Sequence, residues 1–364
     1  MNLALTDTQK IDWLAKIAIL ANLVMMLYAP QLWINTKEFP VIPLFNWLPA
    51  ARYPLDYLLA GLFFAIQLGY VIKPKKWLGW SLIILYLYLA FIDQNRLQPY
   101  FYQSILTVLF VEIFRNRSKK DLLVAIAFLF IATYFWSGMH KLNAVFYEQW
   151  MHALQKHFNF IPEKILHAFT YAVPWLEAAM GVLLFIPKLR KITVAFIIGM
   201  HSIIIVLLIY LGYGYNVIPW NVQNILSVYI LFWSFQTLDV KHFFSQQFNY
   251  KKSIILLFTV LLPFSNLFGG WDHLLSFSFF TSKLNYYYIE IAPELKEKLP
   301  EHIHKYYKIH EGKTILYPND WAGAINKVLL YPEDRVIQKT ATYLRSFADD
   351  PQKEGLIKLV VYNQ

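Results

Sequence analysis

Apolar blocks of about 15 to 20 residues, parted by short charged runs, occupy most of residues 1–268. Each is long enough for a helix to cross roughly 30 Å of hydrocarbon. Water cannot be the solvent for such a stretch. Only 15% of the 364 residues are charged and 57% are hydrophobic, whereas soluble domains carry about 25% charged residues. That excludes a soluble enzyme, a disordered chain and a secreted disulfide scaffold. With Cys 0 there is no disulfide, thiolate nucleophile or cysteine metal site, so any chemistry falls to His, Lys, Asp or Glu.

The hydropathy pattern predicts nine membrane segments, 11–28, 55–72, 77–92, 99–114, 122–139, 169–186, 192–211, 216–235 and 253–268. The first runs into Pro30 and Gln31 without a small-residue cleavage pattern and reads as a retained helix. Lys and Arg outnumber Asp and Glu by 33 to 23, and the excess falls in alternate connections. These hold Lys10 and Lys16; Lys73, Lys75 and Lys76; Arg115, Arg117, Lys119 and Lys120; Lys188, Arg190 and Lys191; and Lys241, Lys251 and Lys252. Basic connections stay cytoplasmic, so the N-terminus is expected inside and the C-terminus outside. From residue 269 the tail turns polar, with strands expected over 286–291 and 356–362 and helices over 293–307 and 333–347. The expected fold is an all-α polytopic membrane bundle of about nine transmembrane helices, residues 1–268, with a small α+β extracytoplasmic domain, residues 269–364. Segment 144–167 is amphipathic and reads as a surface helix along the outer interface.

Ionisable side chains at membrane depth are costly and mark interiors or cavities. Glu177 lies ten residues before Pro187 and His201 ten after Lys191, which puts them at matching depth on two antiparallel helices. A carboxylate and an imidazole so placed could move a proton or simply lock the helices together. Lys141 closes the fifth segment after Ser137-Gly138-Met139-His140 and precedes Leu142-Asn143. Beside apolar groups an ammonium loses hydration and can serve as a general base, or it can snorkel to the interface. Asp93 and Arg96, before Pro99 and Tyr100, could pair with each other or take a polar head group. Pro219-Trp220-Asn221 marks a helix break lining a cavity or an aromatic belt. His302, His304 and His310 lack ligand spacing and read as a solvated face rather than a metal site. Phosphate-loop, nucleophile-elbow, HExxH and nucleic-acid motifs are absent from the sequence.

In chain order, Phe91-Ile92-Asp93 with Tyr100, then Tyr134-Phe135-Trp136-Ser137-Gly138-Met139-His140-Lys141-Leu142-Asn143, then Leu176-Glu177 followed by Gly181, Arg190 and His201, resemble the horizontally transferred transmembrane domain family. That family includes the vitamin K-dependent gamma-glutamyl carboxylase. The resemblance covers most of residues 1–270 and implies a catalytic lysine at Lys141, with the family's acidic residue and histidine at Glu177 and His201. It implies a quinol-dependent oxidase or carboxylase-like enzyme with Lys141 as base, a reduced naphthoquinone as cofactor, a peptide or protein substrate, and a bacterial inner-membrane location. A substrate would be held by Asp93, Arg96, Tyr100, His140, Asn143, Trp220 and Asn221, and no metal is expected. The sequence departs from the family at Leu97-Gln98-Pro99-Tyr100, where the family carries Asn-Asn-His. The rival expectation is a non-catalytic membrane partner or assembly factor of a redox enzyme, in which the same ionisable residues only hold helices together.

Overall fold

The computed structural model describes residues 5–233, 240–245, 249–281 and 284–362. Residues 234–235 of the expected eighth segment and the side chain of Lys241 lie outside the described residues. The chain is mostly helical. Its first half holds α1 (Asp7–Tyr28), α2 (Leu55–Ile72), α3 (Lys76–Ile92), α4 (Pro99–Phe114), α5 (Lys119–His140), α6 (Ala144–His157), α7 (Glu163–Leu183) and α8 (Arg190–Leu211). Then come α9 (Ile218–Val228), extended by a π turn over Tyr229–Trp233, α10 (Val240–Ser245), α11 (Tyr250–Leu256) and α12 (Leu262–Asn266). The tail contributes β1 (Tyr286–Ile291), α13 (Pro293–Lys296), α14 (Glu301–His304), β2 (Tyr307–His310), β3 (Lys313–Leu316), α15 (Pro318–Asn326), α16 (Asp334–Arg345) and β4 (Ile357–Tyr362).

Nine spans were expected; among the described residues those apolar segments lie largely on helix, and four helices, α1, α2, α5 and α8, are long and apolar enough to cross a bilayer. Helices α3 and α4 are apolar but have 17 and 16 residues. Helix α7 carries Glu163, Lys164, Glu177 and an internal Pro174, which dilutes its hydropathy. Burial separates the long helices into two kinds. Helix α5 is apolar all round from Leu122 to Ala132 and is buried along that whole run, as a helix without a polar face must be. Helix α8 instead turns Ile192, Phe196, Ile203, Val206 and Tyr210 outward, a surface that hydrocarbon tolerates and water does not.

The chain divides into two compact units that cut across sequence order. One comprises Met1–Met25, Ala65–Ile84 and Pro99–Lys283, the other Met26–Phe64, Leu85–Gln98 and Leu284–Gln364. The second unit is built on an antiparallel sheet of order β2-β3-β1-β4. In β1, Tyr286, Tyr287 and Tyr288 are half-buried, and from Tyr288 to Ile291 half-buried and buried residues alternate, the period-two pattern of a strand with one covered face. Trp321 of α15 and Val336 and Leu344 of α16 are fully buried in the same unit. The helix expected over 293–307 is cut in two because Pro300 disfavours helix at Leu299. The β2–β3 hairpin turns through Glu311 and Gly312, both at positive φ, the backbone that a two-residue hairpin requires.

What ties this unit together is the turn between α3 and α4. Asp93 caps the turn and its Oδ1 accepts from the amides of Asn95 at 3.1 Å and Ile42 at 3.3 Å. Arg96 donates from Nε to the Leu32 carbonyl at 2.9 Å, from Nη1 to that of Leu89 at 3.0 Å and from Nη2 to that of Trp33 at 3.2 Å. Burial pushes the Asp93 carboxyl up and the Arg96 guanidinium down from their ordinary ranges, and each one's charge opposes the other's shift. Three amide side chains of the same turn reach the tail. Asn95 Oδ1 accepts from the Tyr331 amide at 3.1 Å, Gln94 Oε1 from Arg335 Nε at 2.7 Å, and Gln98 Nε2 donates to the Leu329 carbonyl at 3.2 Å. Lysine cannot fork to three carbonyls as arginine does. Arg96→Lys should therefore lower the thermal midpoint and Arg96→Leu should cost about 3 kcal/mol or more, because charge-assisted bonds are lost and carbonyls are left buried. Thermal melting with limited proteolysis of residues 284–362 checks this, and unchanged melting of both variants would refute it.

Candidate functional site

The site in the first unit begins with two glycines that let α5 and α7 meet backbone to backbone. A Cβ at Gly138 would strike the Ala178 amide nitrogen and the Pro174 carbonyl, and one at Gly181 would lie 2.7 Å from the Phe135 nitrogen and 2.8 Å from the Ile131 carbonyl. Small residues at such crossings are what apolar helices use to associate where no hydrophobic force acts between them. The crossing sets Lys141, at the C-terminal end of α5, against Glu177 in the last third of α7. Lys141 Nζ lies 2.5 Å from Glu177 Oε2 and 2.8 Å from Ser137 Oγ, and it also reaches the Ser137 carbonyl at 3.3 Å. Ser137 Oγ closes the ring by donating to Glu177 Oε1 at 3.1 Å.

Glu177 was expected to face His201, and the structure gives it Lys141 instead. His201 bridges Tyr134 and Asn221: its Nε2 lies 2.9 Å from the Tyr134 hydroxyl and its Nδ1 2.6 Å from Asn221 Oδ1. Asn221 Nδ2 donates to the Val217 carbonyl at 2.8 Å, which leaves Oδ1 as the acceptor. A proton therefore sits on Nδ1 and Nε2 accepts from the phenol.

The remaining predicted residues divide between the units. Asn143 caps α6 through the Phe146 amide at 2.9 Å and donates to the His140 and Thr281 carbonyls. The His140 ring stacks on Trp136 with centroids 5.7 Å apart. Trp220 donates to Gln103 Oε1 and packs edge-on against Phe279. Tyr100 is buried with its ring against Phe101. Asp93 and Arg96 belong to the second unit, where their bonds to backbone groups hold loops. Sequence reasoning missed the polar seam between α4 and α9, where Gln103 Nε2 donates to Asn224 Oδ1 at 3.1 Å and Ser104 Oγ to Gln223 Oε1 at 3.0 Å. The signal was the recurrence of Trp220, Asn224 and Ser227 at helical spacing opposite Gln103 and Thr107.

Lys141, Ser137 and Glu177 pair with one another, and Tyr134, His201 and Asn221 form a second linked set. Lys141 Nζ is here a donor to Glu177 Oε2 and Ser137 Oγ. Among the described residues no group of three or more His, Cys, Asp or Glu side chains could hold a metal ion.

A family model described as methylamine utilisation protein MauE matches residues 119–219. The matched stretch, to which that family is similar, runs from the start of α5 to the first turn of α9 and contains Lys141, Glu177 and His201. No curated protein and no solved structure matches the chain. The match corrects the resemblance drawn from the sequence. Over the residues that were to carry carboxylase chemistry, the similarity is to MauE and not to the horizontally transferred transmembrane domain family. Quinol oxidation and glutamate carboxylation with Lys141 as base fall with it. The aromatic-Ser-Gly-Met-His-Lys run that suggested them is accounted for by the helix crossing and its ion pair.

Removing one partner of this partly buried pair strands the other charge, at a cost of up to about 3–5 kcal/mol. Lys141→Met and Glu177→Leu should each destabilise the protein by that order, and the double variant should recover most of the loss. Thermal unfolding of the four proteins in one detergent completes the cycle, and additive losses would remove the pair from the account. Gly138→Leu should disrupt the α5–α7 crossing outright, seen as loss of the folded, monodisperse species on gel filtration.

Proposed function

We propose that the chain is a non-catalytic integral membrane component, a partner or assembly factor that serves a redox enzyme of methylamine utilisation. The observation that carries this reading is the similarity of residues 119–219 to methylamine utilisation protein MauE over the stretch that contains the closed Lys141–Ser137–Glu177 ring. In this reading Lys141, Glu177 and His201, with Tyr134 and Asn221, keep α5, α7, α8 and α9 in register. They act on no substrate.

The same proposal includes nine spans in a bacterial inner membrane, with the N-terminus in the cytoplasm and the tail outside. Support comes from the second unit, in which the α1–α2 connection, the α3–α4 turn and the tail share hydrogen bonds. With nine spans all three fall on one side, opposite the basic connections.

A strain lacking the chain should fail to grow on methylamine and should hold methylamine-oxidising enzyme of reduced activity. A copy carrying the exchanged pair Lys141→Glu with Glu177→Lys should restore growth, because a structural pair survives exchange and a catalytic lysine does not. Normal growth of the deletion strain would end the accessory reading, and failure of the exchanged pair in a protein that still folds would return chemistry to Lys141.

A further inference from the structure

The connection between α1 and α2 is unlike a loop made for water. Residues 39–51, Phe39-Pro40-Val41-Ile42-Pro43-Leu44-Phe45-Asn46-Trp47-Leu48-Pro49-Ala50-Ala51, contain no charged side chain. Its first part is pinned within the second unit. Trp321 Nε1 donates to the Glu38 carbonyl at 3.0 Å, the Leu44 amide to the Phe91 carbonyl at 2.8 Å, and Lys339 Nζ to the Pro43 and Leu44 carbonyls at 2.6 and 3.1 Å. Beyond Leu44 the aromatic side chains turn outward in fixed pairs. Phe45 and Trp47 stack with centroids 5.5 Å apart, Tyr53 and Tyr57 meet edge to face at 5.7 Å, and Trp47 and Tyr53 are 75% and 79% exposed.

From this geometry we infer that residues 45–57 are a bilayer-docking surface whose occupant is the headgroup region of the leaflet on the side of the tail. Two observations name lipid as the occupant. In the chain the aromatic pairs are flanked by exposed apolar residues of the helices on either side, Leu27 and Tyr28 at the end of α1 and Leu55, Leu58 and Leu62 along α2, and both helices are long and apolar enough to cross a bilayer. The chemistry also fits, since Trp and Tyr combine a flat apolar body with one hydrogen-bonding tip and concentrate where hydrocarbon meets headgroups. Arg52, exposed between the two pairs, supplies a cation at the level of lipid phosphates. Because the preceding residues are bonded to α16 and to the Asp93–Gln98 turn, the surface also fixes the height of the whole second unit above the membrane. The inference depends on the chain being a membrane protein but not on the accessory role proposed above.

The test uses the absence of native cysteine. A single nitroxide is attached at Asn46→Cys, which leaves every aromatic ring in place, and in a second sample at Glu354→Cys, exposed on the tail. Both full-length proteins are reconstituted in phosphatidylcholine vesicles. At residue 46 collisions with dissolved oxygen should exceed those with a water-soluble nickel chelate, and the ratio should reverse at residue 354. Equal chelate access at both positions would place the loop in water and overturn the proposal. Low access to both reagents with an immobilised spectrum at residue 46 would mean that a protein, such as a second copy, covers the surface, and would overturn it equally. A further readout guards against misfolding: Trp47→Ser with Tyr53→Ser should lower the melting temperature in vesicles while leaving it unshifted in detergent, and equal loss in both media would count against bilayer docking.

Discussion

The first unit depends on the closeness of α5 and α7. Two backbones in contact at Gly138 and Gly181 leave no room for intervening side chains, and this alone allows a lysine at the end of one helix to reach a carboxylate on the other. In water an ion pair of this kind contributes little; in hydrocarbon each charge would be costly alone. The close approach and the ion pair are therefore mutually dependent. The first supplies the geometry, and the second makes any separation of the helices expensive.

A second set of constraints extends from that crossing. His201 joins α8 to α5 through Tyr134 and to α9 through Asn221, and α9 joins α4 through Gln103 and Ser104. Hydrogen bonds thus run from α7 through α5, α8 and α9 to α4.

Much of the helical frame was legible in the sequence because a membrane span is written in hydropathy, and hydropathy is local. Among the described residues the apolar stretches lie largely on helices, and the strands expected over 286–291 and 356–362 are found at Tyr286–Ile291 and Ile357–Tyr362. Pairing was less legible. Glu177 and His201 looked like partners because both lie ten residues from one turn, but depth does not specify azimuth. What selects Lys141 is the glycine crossing, which sequence spacing cannot reveal. The β2–β3 hairpin was missed because its strands are four residues long, and the α4–α9 seam because its polar residues are uncharged. The motif around Lys141 misled for a related reason: a small residue followed by glycine and lysine at a helix end satisfies packing needs that arise in unrelated membrane proteins.

The turn at Asp93–Gln98 also bears on how the chain is made. Its amide side chains bond to Leu329, Tyr331 and Arg335, groups that follow it by more than two hundred residues. During synthesis the early helices are in place long before those partners leave the ribosome, and loop closure over such a distance is slow. Until then Gln94 and Asn95, which end fully buried, must remain hydrated. This part of the second unit is therefore completed only after residues 329–335 have been made.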